Sequence, residues 1–110
     1  MEERKFKFGR NEMQALQDLY LAMRQRATLV GSAQILGLEQ IQLLVKKGLV
    51  TYKENESHTF VFELTQDGVK IAAEVEQIAE SIQKWMDETY EKKIRDMENH
   101  VFVLKEERRD

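Results

Sequence analysis

Leu44-Val45-Lys46-Lys47-Gly48-Leu49-Val50 decides the fold, because the hydrophobic period changes inside it. Upstream, Leu38, Ile41, Leu44 and Val45 recur at spacings of three and four, one face of a helix over 38–47. Downstream, Leu49–Lys53 and Thr59–Leu64 are strand-like runs rich in Val, Thr, Tyr and Phe. Glu54-Asn55-Glu56-Ser57 between them is a turn candidate, so 49–64 reads as a β-hairpin. Gly48 stands at the junction, where a residue without Cβ lets the chain reverse with φ above zero. In the second run Phe60, Phe62 and Leu64 share a face and are expected in the core, with Val61 and Glu63 more exposed.

Working back toward the N-terminus, Ser32-Ala33-Gln34-Ile35-Leu36 predicts a short helix capped by Ser32, with Gly37 as the turn. Ala27-Thr28-Leu29-Val30 is a short extended stretch ending at Gly31. Met13, Leu16, Leu19, Tyr20 and Met23 then mark an amphipathic helix over about 12–25, with Asn11 as its N-cap. The opening Lys5-Phe6-Lys7-Phe8 alternates polar and apolar, as a short strand or an arm packing two rings would, and Gly9 ends it.

Working forward, the pattern is helical from Gln66 onward. Val75, Ile78, Ile82 and Trp85 form a coiled-coil-like stripe. Tyr90, Ile94, Met97, Val101 and Leu104 continue it in another register, with the slip near Thr89–Lys93, where the helix either changes partner or bends. One helix over 66–97 would run about 48 Å at ~1.5 Å per residue, longer than so small a core can cover. That predicts a homodimer in which these nine residues form the interface. Val101-Phe102-Val103-Leu104 fits a helix or a strand, the strand perhaps beside Phe6 and Phe8.

Taken together, the order of elements resembles a winged-helix domain. Leu44–Val50 is similar to the end of that family's recognition helix leading into the wing. Leu64-Thr65-Gln66-Asp67-Gly68-Val69 is similar to its step from the wing into the next helix, where Thr65 can cap the helix. With the long last helix added, the chain resembles MarR-like and PadR-like transcriptional regulators. The resemblance implies a mainly α protein with a small β-hairpin (α+β): a winged helix-turn-helix over 1–68, including an arm over 1–10, and a dimerisation helix and tail over 69–110. It also implies a homodimer that binds double-stranded DNA sequence-specifically and in many relatives answers to a small-molecule effector; the alternative is a winged-helix module that binds protein and not DNA. From Thr28 to Gly48 the chain has only twenty residues, so the third helix is short.

The charges allow such a partner. Residues 1–53 carry nine Lys/Arg against five Asp/Glu, and residues 54–110 carry eight against fifteen, which accounts for the net −3. On the third helix Glu39, Gln42, Leu43 and Lys46 point outward, flanked by Gln40 and Lys47. Gln pairs with adenine, Lys with guanine or phosphate, Glu accepts from cytosine, and Leu43 suits a thymine methyl. Ser32 and Gln34 of the preceding short helix, Arg24 and Arg26 closing the first helix, and Lys53, Asn55, Ser57 and His58 at the wing tip complete the candidate DNA contacts. The polar set reads equally as a solvated surface. There is no cysteine, and His58 and His100 lack partners at metal-ligand spacing, so no metal or cofactor is expected. No phosphate loop or nucleophile–base pattern argues for an enzyme. No apolar run reaches membrane length and the start lacks a signal-peptide pattern, so the expected location is the cytoplasm.

Overall fold

The computed structural model describes residues 2–83 and 88–106. Among these the chain forms β1 (Glu2–Phe6), α1 (Arg10–Arg24), β2 (Leu29–Gly31), α2 (Ala33–Leu36), α3 (Glu39–Lys46), β3 (Val50–Glu54), β4 (Phe60–Leu64), α4 (Gln66–Gln83), α5 (Glu88–Asn99) and β5 (Phe102–Glu106). This is a small α+β protein with two antiparallel sheets, one ordered β2-β4-β3 and one made of β1 and β5. No helix among the described residues is long and apolar enough to cross a membrane.

The junction read from the sequence folds as its chemistry demands. Gly48 has φ +77°, and its N–H donates to Val45 O at 3.0 Å while Leu49 N–H donates to Leu44 O at 3.1 Å. These are the paired bonds that close a helix through a left-handed residue. Thr65 then joins strand to helix, its hydroxyl donating to Gly48 O at 2.7 Å and accepting from Gly68 N–H at 3.0 Å. Gly68 is required sterically: a Cβ there would stand 1.9 Å from the carbonyl oxygen of Leu49. In the hairpin, Phe62 is 5% exposed, Phe60 and Leu64 are half-buried, and Glu63 is exposed, in line with the expected alternation. Val61, expected on the outer face, is half-buried.

Other boundaries move. Helix α1 starts at Arg10 with Gly9 as its N-cap rather than Asn11, because the Gly9 N–H donates to the Glu12 side chain at 3.1 Å. Ser32 sits at the N-cap of α2 but makes no side-chain cap bond. Leu38, expected to point inward, precedes α3 and is 39% exposed. Of the stretch 101–104, which the sequence left open, residues 102–104 are strand, the start of β5, and Val101 precedes it. Phe102 pairs with Phe6 and Leu104 with Arg4, and the Phe102 ring lies 5.4 Å from that of Phe8.

The largest correction concerns the C-terminal half. Glu76 and Ala79 of α4 line one hollow together with Ile94 and Met97 of α5. In one straight helix residues 76 and 97 would be about 31 Å apart at ~1.5 Å per residue. The two registers of the apolar stripe therefore serve two helices that face the same core. Val75, Met97 and Leu104, expected at a subunit interface, are buried in the chain's own core, and Ile78 and Ile94 pack against it. Val101 is 43% exposed. Trp85 lies outside the described residues, as do the side chains of Ile82 and Tyr90. The fully buried Leu16, Leu44, Leu49, Ile71, Val75 and Phe102 come from α1, α3, α4, β5 and the loop after α3, so both halves of the chain share one core.

Candidate nucleic-acid interface

Helix α3 packs Ile41 and Leu44 into the core and turns Glu39, Gln42 and Lys46 to solvent. Gln40 is half-buried. Leu43, expected at the centre of the outer face, is also half-buried and borders a shallow hollow with Gly9, Arg10 and Asn11. Gln42 is less free than its exposure implies, since its amide N–H donates to Leu36 O at the end of α2. That bond ties α3 to α2 and leaves the Gln42 carbonyl and one of its two amide N–H groups for a ligand.

Lys47 departs furthest from expectation. Its ammonium donates to Glu12 Oε2 at 2.6 Å and to Lys7 O at 3.0 Å, and lies 4.8 Å from the centre of the Phe8 ring. Glu12 is 7% exposed, so the pair is largely withdrawn from water. A cation held this way is spent on the fold. Its neighbour Lys46 is exposed.

The hairpin tip is a self-contained turn. Asn55 Oδ1 accepts from the backbone N–H groups of Ser57 and Thr59 at 3.2 Å each, and from both of their hydroxyls. His58 has φ +59° and its Nδ1 lies 3.2 Å from Glu54 Oε1. Lys53 is exposed, but Glu54 and Glu56 are exposed beside it, so the tip is acidic on balance. Ser32 and Gln34 are exposed at the start of α2, on the side of the sheet where Gly31 pairs with Phe60.

Arg24 and Arg26 stand apart from this surface. Glu12, in the first turn of α1, touches the end of α3, and Arg24 is twelve residues further along, about 18 Å at ~1.5 Å per residue. Arg24 is therefore separated from Lys47 by most of the length of α1. Arg24 lies over the Tyr20 ring at 5.8 Å. Arg26 occupies a left-handed conformation, φ +55°, that closes α1.

Sequence reasoning missed a different pair of cations. Lys5 and Lys7 are exposed, while Phe6 and Phe8, alternating with them, are buried. Arg4 binds Lys47 O at 2.6 Å and Asp67 at 3.0 Å, and the Lys7 carbonyl takes the Lys47 ammonium. The arm is thereby held along the last turn of α3. The alternation in Lys5–Phe8 was visible in sequence; the neighbour it would meet was not. At the start of α1, bordering the same hollow as Leu43, Arg10 binds Glu91 and Glu98 of α5, and the Glu91 hydrogen bond, above all, raises its pKa. No group of three potential metal ligands occurs among the described residues.

Comparison of the chain with family models, curated proteins and solved structures gave no match.

Proposed function

We propose that this chain is a winged-helix protein that binds double-stranded DNA, with α2 and α3 as its helix-turn-helix, the β3–β4 hairpin as its wing, and a role in regulating transcription. The observation that carries the reading is topological. A helix, an edge strand, two short helices and a hairpin are joined so that the edge strand β2 pairs with the second hairpin strand. This leaves the outer side of α3 uncovered beside the hairpin. The eight residues of α3 span about 12 Å at ~1.5 Å per residue. So short a helix offers few base contacts, and Gln42 is partly committed, so phosphate contacts carry most of the affinity. The stripe at Val75, Met97 and Leu104 is used internally, which removes the reason for placing a homodimer interface there.

A gel shift at low salt, with retention on heparin, tests this. Wild-type protein should bind duplexes of any sequence, and Lys46→Ala should weaken all of them by the same factor. Absence of any shift at low salt would overturn the reading. The alternative is then a winged-helix module that binds protein. A specific feature favours it: Leu29, Val30, Ile35 and Leu38 are 37–55% exposed around a hollow of about 340 Å³ between α1, β2 and α3.

A further inference from the structure

We infer that the free edge of β2 is a homodimer interface. Two copies add their β2 strands antiparallel about a twofold axis through Val30, joining two three-stranded sheets into one of six strands. The inference stands whether or not the chain binds DNA, and it gives the apolar surface around β2 a definite occupant.

Three observations carry it. First, the edge is open. β2 has a neighbour on one side only, β4, and among the described residues no hydrogen bond outside that ladder engages the backbone of Leu29–Gly31. Unpaired strand backbone is a template for another strand. Second, the edge lacks the charges that protect the others. Glu3 and Lys5 are exposed on β1, Lys105 on β5, and Lys53 and Glu54 on β3. Such side chains keep strand edges from pairing. Yet in a chain that is 34% charged, residues 27–38 carry no charge, and all twelve except Gly31 and Leu36 are exposed. Third, the edge complements itself. The register centred on Val30 pairs all three residues of β2, setting Leu29 against Gly31 of the second copy and Val30 against Val30. Thr28 and Ser32 continue it as a pair of hydroxyls. On the outer face Val30, 55% exposed, lies beside half-buried Val61, so the two copies together align four valines. On the other face a Cβ on Gly31 would stand 2.9 Å from Ile35 and from the Phe62 ring. These two side chains fill that place and offer an apolar surface to Leu29 of the second copy. The contact is small, so dissociation in the micromolar range is expected.

The test is sedimentation equilibrium of the full chain, without DNA, from the low micromolar to the millimolar range, where monomer and dimer should exchange. Val30→Lys sets two ammonium groups directly opposite each other across the axis, and Val30→Glu does the same with carboxylates. Like charges so placed repel, and each variant alone should weaken dimerisation by about tenfold or more. An equimolar mixture of the two should restore it as a heterodimer. Val101→Lys, at an exposed valine preceding β5, should leave dimerisation unchanged. Val30 is more than half exposed, so a cooperative thermal melt is expected of both of its variants. Amide exchange of the wild type needs no variant: exchange within Leu29–Gly31 should slow as concentration rises, while that of β1 and β3 should not. A wild-type chain that stays monomeric to the millimolar range overturns the inference. So does a dimer that survives Val30→Lys, since another surface must then hold it. If each variant is monomeric and their mixture is too, the axis does not pass through Val30 and the register is wrong.

Discussion

The two ends of the α2–α3 pair are built on opposite terms. Where α3 finishes, polar side chains are consumed by internal bonds: Arg4 on Lys47 O and Asp67, Lys47 on Glu12 and Lys7 O, Thr65 on Gly48 O and Gly68 N–H. Where α2 begins, Ser32 makes no cap bond and Leu29, Val30, Ile35 and Leu38 remain uncovered. The closed end brings together four distant parts of the chain, whereas the open end is held mainly by local contacts and the short strand β2. Local stability should differ accordingly, with β2 and α2 opening at lower free energy than the α3–β3 junction. A closed end provides a rigid edge for charged contacts, and an open one leaves surface free to adapt.

The largest perturbation of this contrast should come from Gly68→Ala. Its Cβ would meet the backbone of Leu49 at 1.9 Å, and that carbonyl, fixed in the helix-to-strand junction where it also accepts the Thr65 N–H, cannot swing aside. A loss of at least about 3 kcal/mol in urea unfolding is expected, at the top of the range for overpacking. Gly37→Ala, where the new atom would stand 3.5 Å from Ala33 O, should leave the midpoint unchanged or raise it. Equal losses at the two glycines would abolish the distinction between closed and open ends.

Lys47→Met comes next. It keeps the stem over Phe8 but leaves the buried Glu12 without its ion partner, at a cost of about 1–3 kcal/mol. Adding Glu12→Gln should then cost less than it does alone, and strict additivity in this double-mutant cycle would mean the pair is not coupled.

The smallest effect belongs to Arg26→Gly, at the far end of α1. Replacing a left-handed arginine by glycine should stabilise the chain by about 1 kcal/mol. A thermal melt that falls instead would show that the Arg26 side chain does more for the fold than its strained backbone costs.

What sequence could and could not show divides along the same line. Gly48 and Thr65 were legible because each answers a local demand, a left-handed turn and a cap. The alternation of Phe60, Phe62 and Leu64 was legible for a similar reason. Gly68 was marked only by the family resemblance, since the Leu49 carbonyl that requires it is nineteen residues away in sequence. The slip between Trp85 and Tyr90 was visible as a break in periodicity, but periodicity does not tell a change of partner from a change of direction. Val101–Leu104 fits either period, so only the meeting with β1 identifies it as strand. Among the candidate site residues, Glu39, Lys46 and Lys53 are exposed as expected. Lys47 was misjudged because exposure was inferred from a helical wheel, which contains nothing about Glu12; Gln42 is exposed as expected, but the wheel could not show its bond to the end of α2.

The pairing of β1 with β5 has a consequence for how the molecule comes into being. Glu2 lies opposite Glu106 and Phe6 opposite Phe102, so this ladder joins positions about as far apart in sequence as the described chain allows. Closing so large a loop carries an entropic cost before any contact rewards it, and folds rich in such distant pairings form slowly. During synthesis Phe6, Phe8 and the arm lysines leave the ribosome well ahead of Phe102, and they must wait for it before their strand has a partner. Until then two phenylalanines stay exposed on an unpaired edge. This gives the nascent chain a window of vulnerability to aggregation that closes only when Phe102 arrives.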